Sequence, residues 1–170
     1  PEVSVAPWQV NTPGLLLHGA PGTGKTTTMS AVMRAVEPTS GDVAISGTSV
    51  LSSFAQASEH LAVVNQHNTL WDALSCADHL RLFARLRMLE NEVEDAVAAT
   101  LARVELLNHA DKPAGRLSGG MKRKLCGACA LIGDPQIVLL DEPSAGLDPV
   151  SQRNLWNLIK ATMAGRAVVL

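Results

Sequence analysis

The amino-acid sequence predicts an α/β fold: a mostly parallel sheet flanked by helices, with a small antiparallel element and an inserted helical subdomain. Three observations predict it. Apolar runs short enough for strands alternate with segments whose apolar residues recur at helical spacing. A glycine-rich segment joins the first such run to the first such helix, and a pair of acids closes a later run. With 170 residues, 46% of them hydrophobic, the chain can bury one substantial core. Residues 1–170 therefore read as one domain, with 72–116 as the helical insertion.

Taken in order, Leu15, Leu16 and Leu17 form a strand, and Met29, Val32, Met33 and Val36 repeat at helical spacing up to Pro38. Val43 and Ile45 alternate between the turn residues Ser40-Gly-Asp and Ser46-Gly, which marks a short strand of an antiparallel element. Leu61 to Val64 is another strand, ending at Asn65-Gln66. Leu82, Leu86 and Leu89 share one helical face, and Val93, Val97, Leu101 and Val104 share a second. Met121, Leu125, Ala128 and Ile132 continue helically, Ile137 to Leu140 is a buried strand, and Val150 to Met163 is helical before a last strand. Strands alternating with helices imply a parallel sheet covered on both faces. We find no internal repeat and no low-complexity segment.

Composition narrows the function classes. Fourteen Lys plus Arg against sixteen Asp plus Glu give a net charge of −2, and the isoelectric point near 6.2 lacks the basic footprint of a nucleic-acid binder. No apolar stretch approaches the roughly 18 residues of a membrane span, and the first twenty residues lack a basic region followed by a hydrophobic one. Three cysteines are too few for a disulfide framework, so a reducing compartment is expected. The start at Pro1 and the stop inside the apolar run 167–170 lead us to expect a piece of something longer.

Gly19-Ala20-Pro21-Gly22-Thr23-Gly24-Lys25-Thr26 matches G-x-x-x-x-G-K-[ST] between a predicted strand and a predicted helix. Glycines let backbone amides curl around phosphate oxygens, and the helix N-terminus adds a favourable dipole. Lys25 is expected to reach the β and γ phosphates, and the Thr26 hydroxyl to coordinate Mg²⁺. The motif alone says nucleoside triphosphate, and the wording Pro-Gly-Thr-Gly-Lys-Thr would equally suit an AAA-type ATPase. Asp141 and Glu142 end a buried strand, where ligands collect in open α/β sheets. Asp141 can hold Mg²⁺, and Glu142 can polarise a water that attacks the γ phosphate.

Leu117-Ser-Gly-Gly-Met-Lys-Arg-Lys-Leu125, upstream of the acid pair, decides between these readings. Here the chain resembles the ATP-binding domain of ABC transporters over essentially its whole length. The phosphate loop spans Gly19 to Thr27, Gln66 stands as the Q-loop glutamine, Leu117 to Met121 as the signature, and Ser144 to Asp148 is similar to the D-loop. The wording around the signature and the acid pair looks most like subfamily A, mostly lipid exporters. The resemblance implies ATP hydrolysis with Mg²⁺, driving transport at the cytoplasmic face of a membrane. It implies a head-to-tail partner domain, with Ser118, Gly119 and Gly120 of one copy covering the γ phosphate held by Gly19 to Thr27 of the other. A Ser-Gly-Gly segment at a helix start is itself a ready anion site. Gln66 is then implied to contact Mg²⁺ or the attacking water and to link the site to transmembrane segments, and Asp148 to lie at the dimer seam.

Two family features depart. Trp8 stands too close to Gly19 to serve as the adenine-stacking aromatic, and the switch histidine would follow the strand ending at Leu170. The segment alone is thus expected to bind nucleotide poorly and hydrolyse it slowly. A soluble ABC-type ATPase of DNA repair or translation, or a catalytically idle piece, are the alternatives. Cys126 and Cys129 are expected to pack as small hydrophobes, and the five histidines show no ligand spacing. Lys122-Arg123-Lys124 and the arginines at 81, 85 and 87 are expected to form solvated faces.

Overall fold

Short apolar runs and turn residues build a five-stranded sheet in the computed structural model, which describes residues 4–7, 14–18, 20, 22–162 and 165–169. β1 (Ser4–Pro7) runs antiparallel to β2 (Gly14–His18), and β2 pairs in parallel with β7 (Ala167–Val169). β7 lies parallel to β6 (Ile137–Leu140), with Val138 opposite Val168. β5 (Leu61–Val64) completes the order β1-β2-β7-β6-β5. β3 (Ala44–Ile45) and β4 (Thr48–Ser49) form a separate hairpin. Its two linking residues, Ser46 and Gly47, have φ of 50° and 82°, the positive pair that a tight turn between right-twisted strands requires. β1 went unforeseen, since Ser4–Pro7 offers neither an apolar run nor a clear alternation.

The chain divides into two units. The first comprises the described residues of Pro1–Val63, Pro135–Asp141 and Gly165–Leu170, and holds the sheet, the hairpin, α1 (Lys25–Val32) and α2 (Phe54–Glu59). Its core gathers Ile45, Val50, Ala57, Leu61 and Leu139. The second comprises the described residues of Val64–Asp134 and Glu142–Ala164, with α3 (Cys76–Arg85), α4 (Val93–Arg103), α5 (Gly119–Leu131) and α6 (Pro149–Thr162). Leu80, Val93, Val97, Leu101, Val104 and Leu125 pack there, each large aliphatic contributing about 1.5–3 kcal/mol by leaving water.

Two helical stripes differ from expectation. The leucine stripe at 82, 86 and 89 is solvent-facing: Leu86 and Leu89 are 74% and 68% exposed, and α3 stops at Arg85. Cys76, Ala77, Leu80 and Ala84 supply the buried face instead, because small side chains let α3 approach its neighbours closely. Ser75 starts this helix by accepting the Asp78 amide at 3.1 Å. Likewise α1 ends at Val32, short of Val36: Arg34 turns left-handed at φ 54°, and the amides of Ala35 and Val36 both fold back on the Ser30 carbonyl. The Val93 stripe is buried as expected. α6 begins at Pro149, and Met163 and Leu170, the expected ends of that helix and of the last strand, lie outside the described residues.

Arg87 also departs from a purely solvated role. Its guanidinium donates to the carbonyls of Ala130 and Ile132 at 3.0 and 3.3 Å, closing the C-terminal end of α5, and burial lowers its pKa. Arg81 and Arg85 do lie in exposed ion pairs, with Asp78 and Glu94 and with Glu90.

Candidate functional site

In the first unit the loop before α1 is built by two left-handed glycines. Gly22 and Gly24 have φ of 83° and 94°, and a Cβ at either would meet nothing within 4 Å. Glycine is therefore needed for backbone conformation rather than for room, and among the described residues no atom crowds these two positions. α1 has no side-chain cap and no acid in its first turn. Its leading amides consequently form an anion-binding concavity with the positive end of the helix behind it.

The side chains of this loop organise it further. Lys25 Nζ donates to the Ala20 carbonyl at 3.1 Å, and Thr23 Oγ1 donates to the same oxygen at 2.9 Å. Thr26 Oγ1 donates to Asp141 Oδ1 at 3.4 Å, joining positions 115 residues apart. Thr27 is exposed on the first turn of α1. Gly19 and Pro21, expected in this loop, and Trp8 lie outside the described residues. A hydroxyl and a carboxylate side by side are the hard oxygen donors that suit Mg²⁺, an ion that keeps few protein ligands and takes the rest from phosphates and water. The open cradle and this donor pair fit a magnesium-bound triphosphate.

In the second unit Gln66 Nε2 donates to Glu142 Oε2 at 3.0 Å, so the expected Q-loop glutamine and the expected base meet directly. Glu142 sits at φ 43°, a left-handed conformation unusual for a side chain of its size and further disfavoured before Pro143.

Arg123 overturns the expectation of a solvated basic face. It is 3% exposed, and it donates through Nε to the Pro143 carbonyl at 2.6 Å and through Nη1 to those of Asn65 and Gln66 at 2.5 and 3.1 Å. Backbone carbonyls take the place of water around the planar guanidinium, which is what allows this charge to be buried. Its neighbours Lys122 and Lys124 pair with Asp72 at 3.5 Å and Glu105 at 2.5 Å. Nothing in the spacing separates Arg123 from those lysines, so no sequence signal marks it.

α5 begins in the Ser-Gly-Gly segment. Ser118 is exposed, and its Oγ accepts the Met121 amide at 3.3 Å as an N-cap. Gly119 is exposed and Gly120 half-buried, with Ser151 Oγ 3.0 Å from where a Cβ would stand. Asp148 caps α6, its Oδ1 accepting the amides of Val150 and Ser151 at 3.0 Å each. The Ser151 side chain and these amides hold its carboxyl below the usual range.

His79 and the cysteines have structural roles. His79 is buried, its Nε2 accepting the Trp71 amide at 3.0 Å and its Nδ1 lying 2.8 Å from the Ser75 carbonyl, partners that assign the proton to Nδ1. Cys76 and Cys129 are buried and Cys126 half-buried, and burial pushes all three thiols up.

Residues 12–145 match the ABC transporter family. The chain is 42% identical over 157 residues to "ABC transporter A family member 2" of Arabidopsis thaliana, covering 91% of this chain and 16% of that protein. It is 43% identical over 156 residues to "ATP-binding cassette sub-family A member 7" of Mus musculus, covering 91% and 7%. The fold is similar to that of cbiO1 from Clostridium perfringens, part of the ABC transporter complex cbiONQ, with a TM-score of 0.78 at 26% identity over 91% of this chain and 64% of that one. An ATP-binding subunit of another ABC transporter gives a TM-score of 0.75 at 27% identity over 91% and 66%. No helix among the described residues is long and apolar enough to cross a membrane. The chain thus belongs to the ABC transporter family, as a P-loop ATPase domain whose sequence relatives are subfamily A members.

Proposed function

We propose that this chain binds ATP with Mg²⁺ and hydrolyses it to drive transport through transmembrane segments, at the cytoplasmic face of a membrane. The observation that carries the reading is the Thr26–Asp141 contact beside a left-handed glycine loop. It joins a hydroxyl and a carboxylate suited to Mg²⁺ with amides suited to phosphate. Residues 19–27 hold the phosphates, Lys25 the β and γ groups, and Thr26, Asp141 and Gln66 the ion. When bound, Mg²⁺ neutralises charge on the phosphate oxygens.

Glu142 acts as general base. A water oxygen bonds to the γ phosphorus, the bond from that phosphorus to the bridging oxygen breaks, and the water proton passes to Glu142. Its hydrogen bond from Gln66 supports this role by fixing where the carboxylate oxygens stand. Ser118, Gly119 and Gly120 cover the γ phosphate of a second ATPase domain arranged head to tail, so each copy completes the other. Loss of the γ phosphate then releases the closed pair, which is a population shift between two states. The resemblance to subfamily A suggests lipid as cargo.

Glu142→Gln in the full-length protein tests the reading. ATPase turnover is expected to fall about 10²–10⁴-fold while fluorescent-nucleotide binding persists. Unchanged turnover overturns it.

A further inference from the structure

We propose that Arg123 is a positioning residue for hydrolysis, one buried guanidinium that sets the geometry of both Gln66 and Glu142. The proposal rests on the reading of Glu142 as the base. Four observations lead to it, all within the second unit. Arg123 bonds the backbone on either side of the Gln66–Glu142 hydrogen bond: the carbonyls of Asn65 and Gln66 on one strand end, and of Pro143 on the other. Glu142 holds a left-handed φ of 43° directly before a proline. Such a conformation persists only where the surroundings over-determine it, and the Arg123–Pro143 bond of 2.6 Å pins the residue next to it. Finally, Arg123 stands on α5, whose N-cap is Ser118, so the same rigid helix that presents the signature segment carries the arm that aligns the base.

The choice of arginine follows from the geometry. Nε and Nη1 donate at fixed angles to three carbonyls on two chain segments, a fork that a lysine ammonium cannot reproduce. A lysine would keep the charge and reach one segment, leaving the other free to relax. The Gln66 amide and the Glu142 carboxylate would then lose their registration by a fraction of an ångström to an ångström, a displacement costly to a proton-transfer geometry.

The test uses Arg123→Met and Arg123→Lys in the full-length protein, beside Glu142→Gln. Turnover and KM for ATP are measured, with fluorescent-nucleotide binding to report the folded site. Arg123→Met is expected to lower kcat about 100-fold with KM within about 3-fold of the parent. Arg123→Lys is expected to fall between the two, and combining Arg123→Met with Glu142→Gln to add nothing to the loss from Glu142→Gln alone. Full kcat in Arg123→Lys, or an additive double variant, overturns the proposal. Loss of nucleotide binding in both Arg123 variants also overturns it, assigning the residue to folding. A Glu142→Gln variant with undiminished turnover instead sinks the underlying base assignment, and that outcome is visible without reference to Arg123.

Discussion

α1 and α5 both begin in glycine-rich segments, yet their N-termini are finished in different ways. α1 follows Gly24, with no side-chain cap, and over its eight residues buries only Met29. α5 is capped by Ser118, runs thirteen residues, and buries six of them, Arg123 included. The contrast teaches what each end is for. A helix that leaves its leading amides to an outside acceptor gives up about 1 kcal/mol of capping to keep an anion site open. One that caps itself and anchors its length in apolar packing becomes a stiff carrier for whatever it displays. On this view α1 is completed by ligand, and α5 is complete without it.

The largest effect that would break this contrast concerns α1. Lys25→Ala in the full-length protein is expected to lower ATP turnover at least about 100-fold, since it removes the charge that the proposed function assigns to the transferring phosphoryl group. Thermal unfolding without nucleotide is expected to shift little, because the Lys25 ammonium is partly exposed and its bond to the Ala20 carbonyl lies on the protein surface. A large drop in that unfolding temperature would mean α1 relies on Lys25 for its stability.

A smaller effect concerns α5. Ser118→Ala is expected to destabilise the protein by about 1 kcal/mol, read from denaturant unfolding, as the Met121 amide loses its acceptor. No change would show that the cap contributes nothing to α5's independence.

The smallest comes from pH. Ser75 holds the Asp78 carboxyl below its ordinary value of 3.8, Arg81 does the same for Glu94 and Lys124 for Glu105 below 4.5. Depressed folded values mean the unfolded chain takes up protons first, so this stability is intact above about pH 4.5 and declines as pH falls through the folded values. The pairs are exposed, so the shift in denaturation midpoint between pH 6 and pH 3 is expected to be modest. A midpoint that rises on acidification would contradict the assigned signs.

Much of the fold was legible beforehand. The strand–loop–helix around Lys25, the strand before Asp141 and the stripe Val93, Val97, Leu101 and Val104 all follow from local periodicity, which the chain carries covalently. The leucines at 82, 86 and 89 misled for a physical reason. Periodicity names the positions that share a face, and only packing selects which face is covered.

The candidate site divides along the same line. Residue types and their spacing were enough to name Lys25, Thr26, Asp141 and Glu142 as candidates, because phosphate loops and acid pairs are short-range patterns, whereas Gln66 and Ser118 entered only through the resemblance to a family. The pairing of Thr26 with Asp141, the left-handed backbone of Glu142 and the burial of Arg123 among three carbonyls needed the folded chain. Each depends on groups far apart in sequence, or on a peptide conformation that no side chain announces. A buried arginine and a solvated one read identically as letters; they differ only in what the tertiary structure brings within reach of the guanidinium.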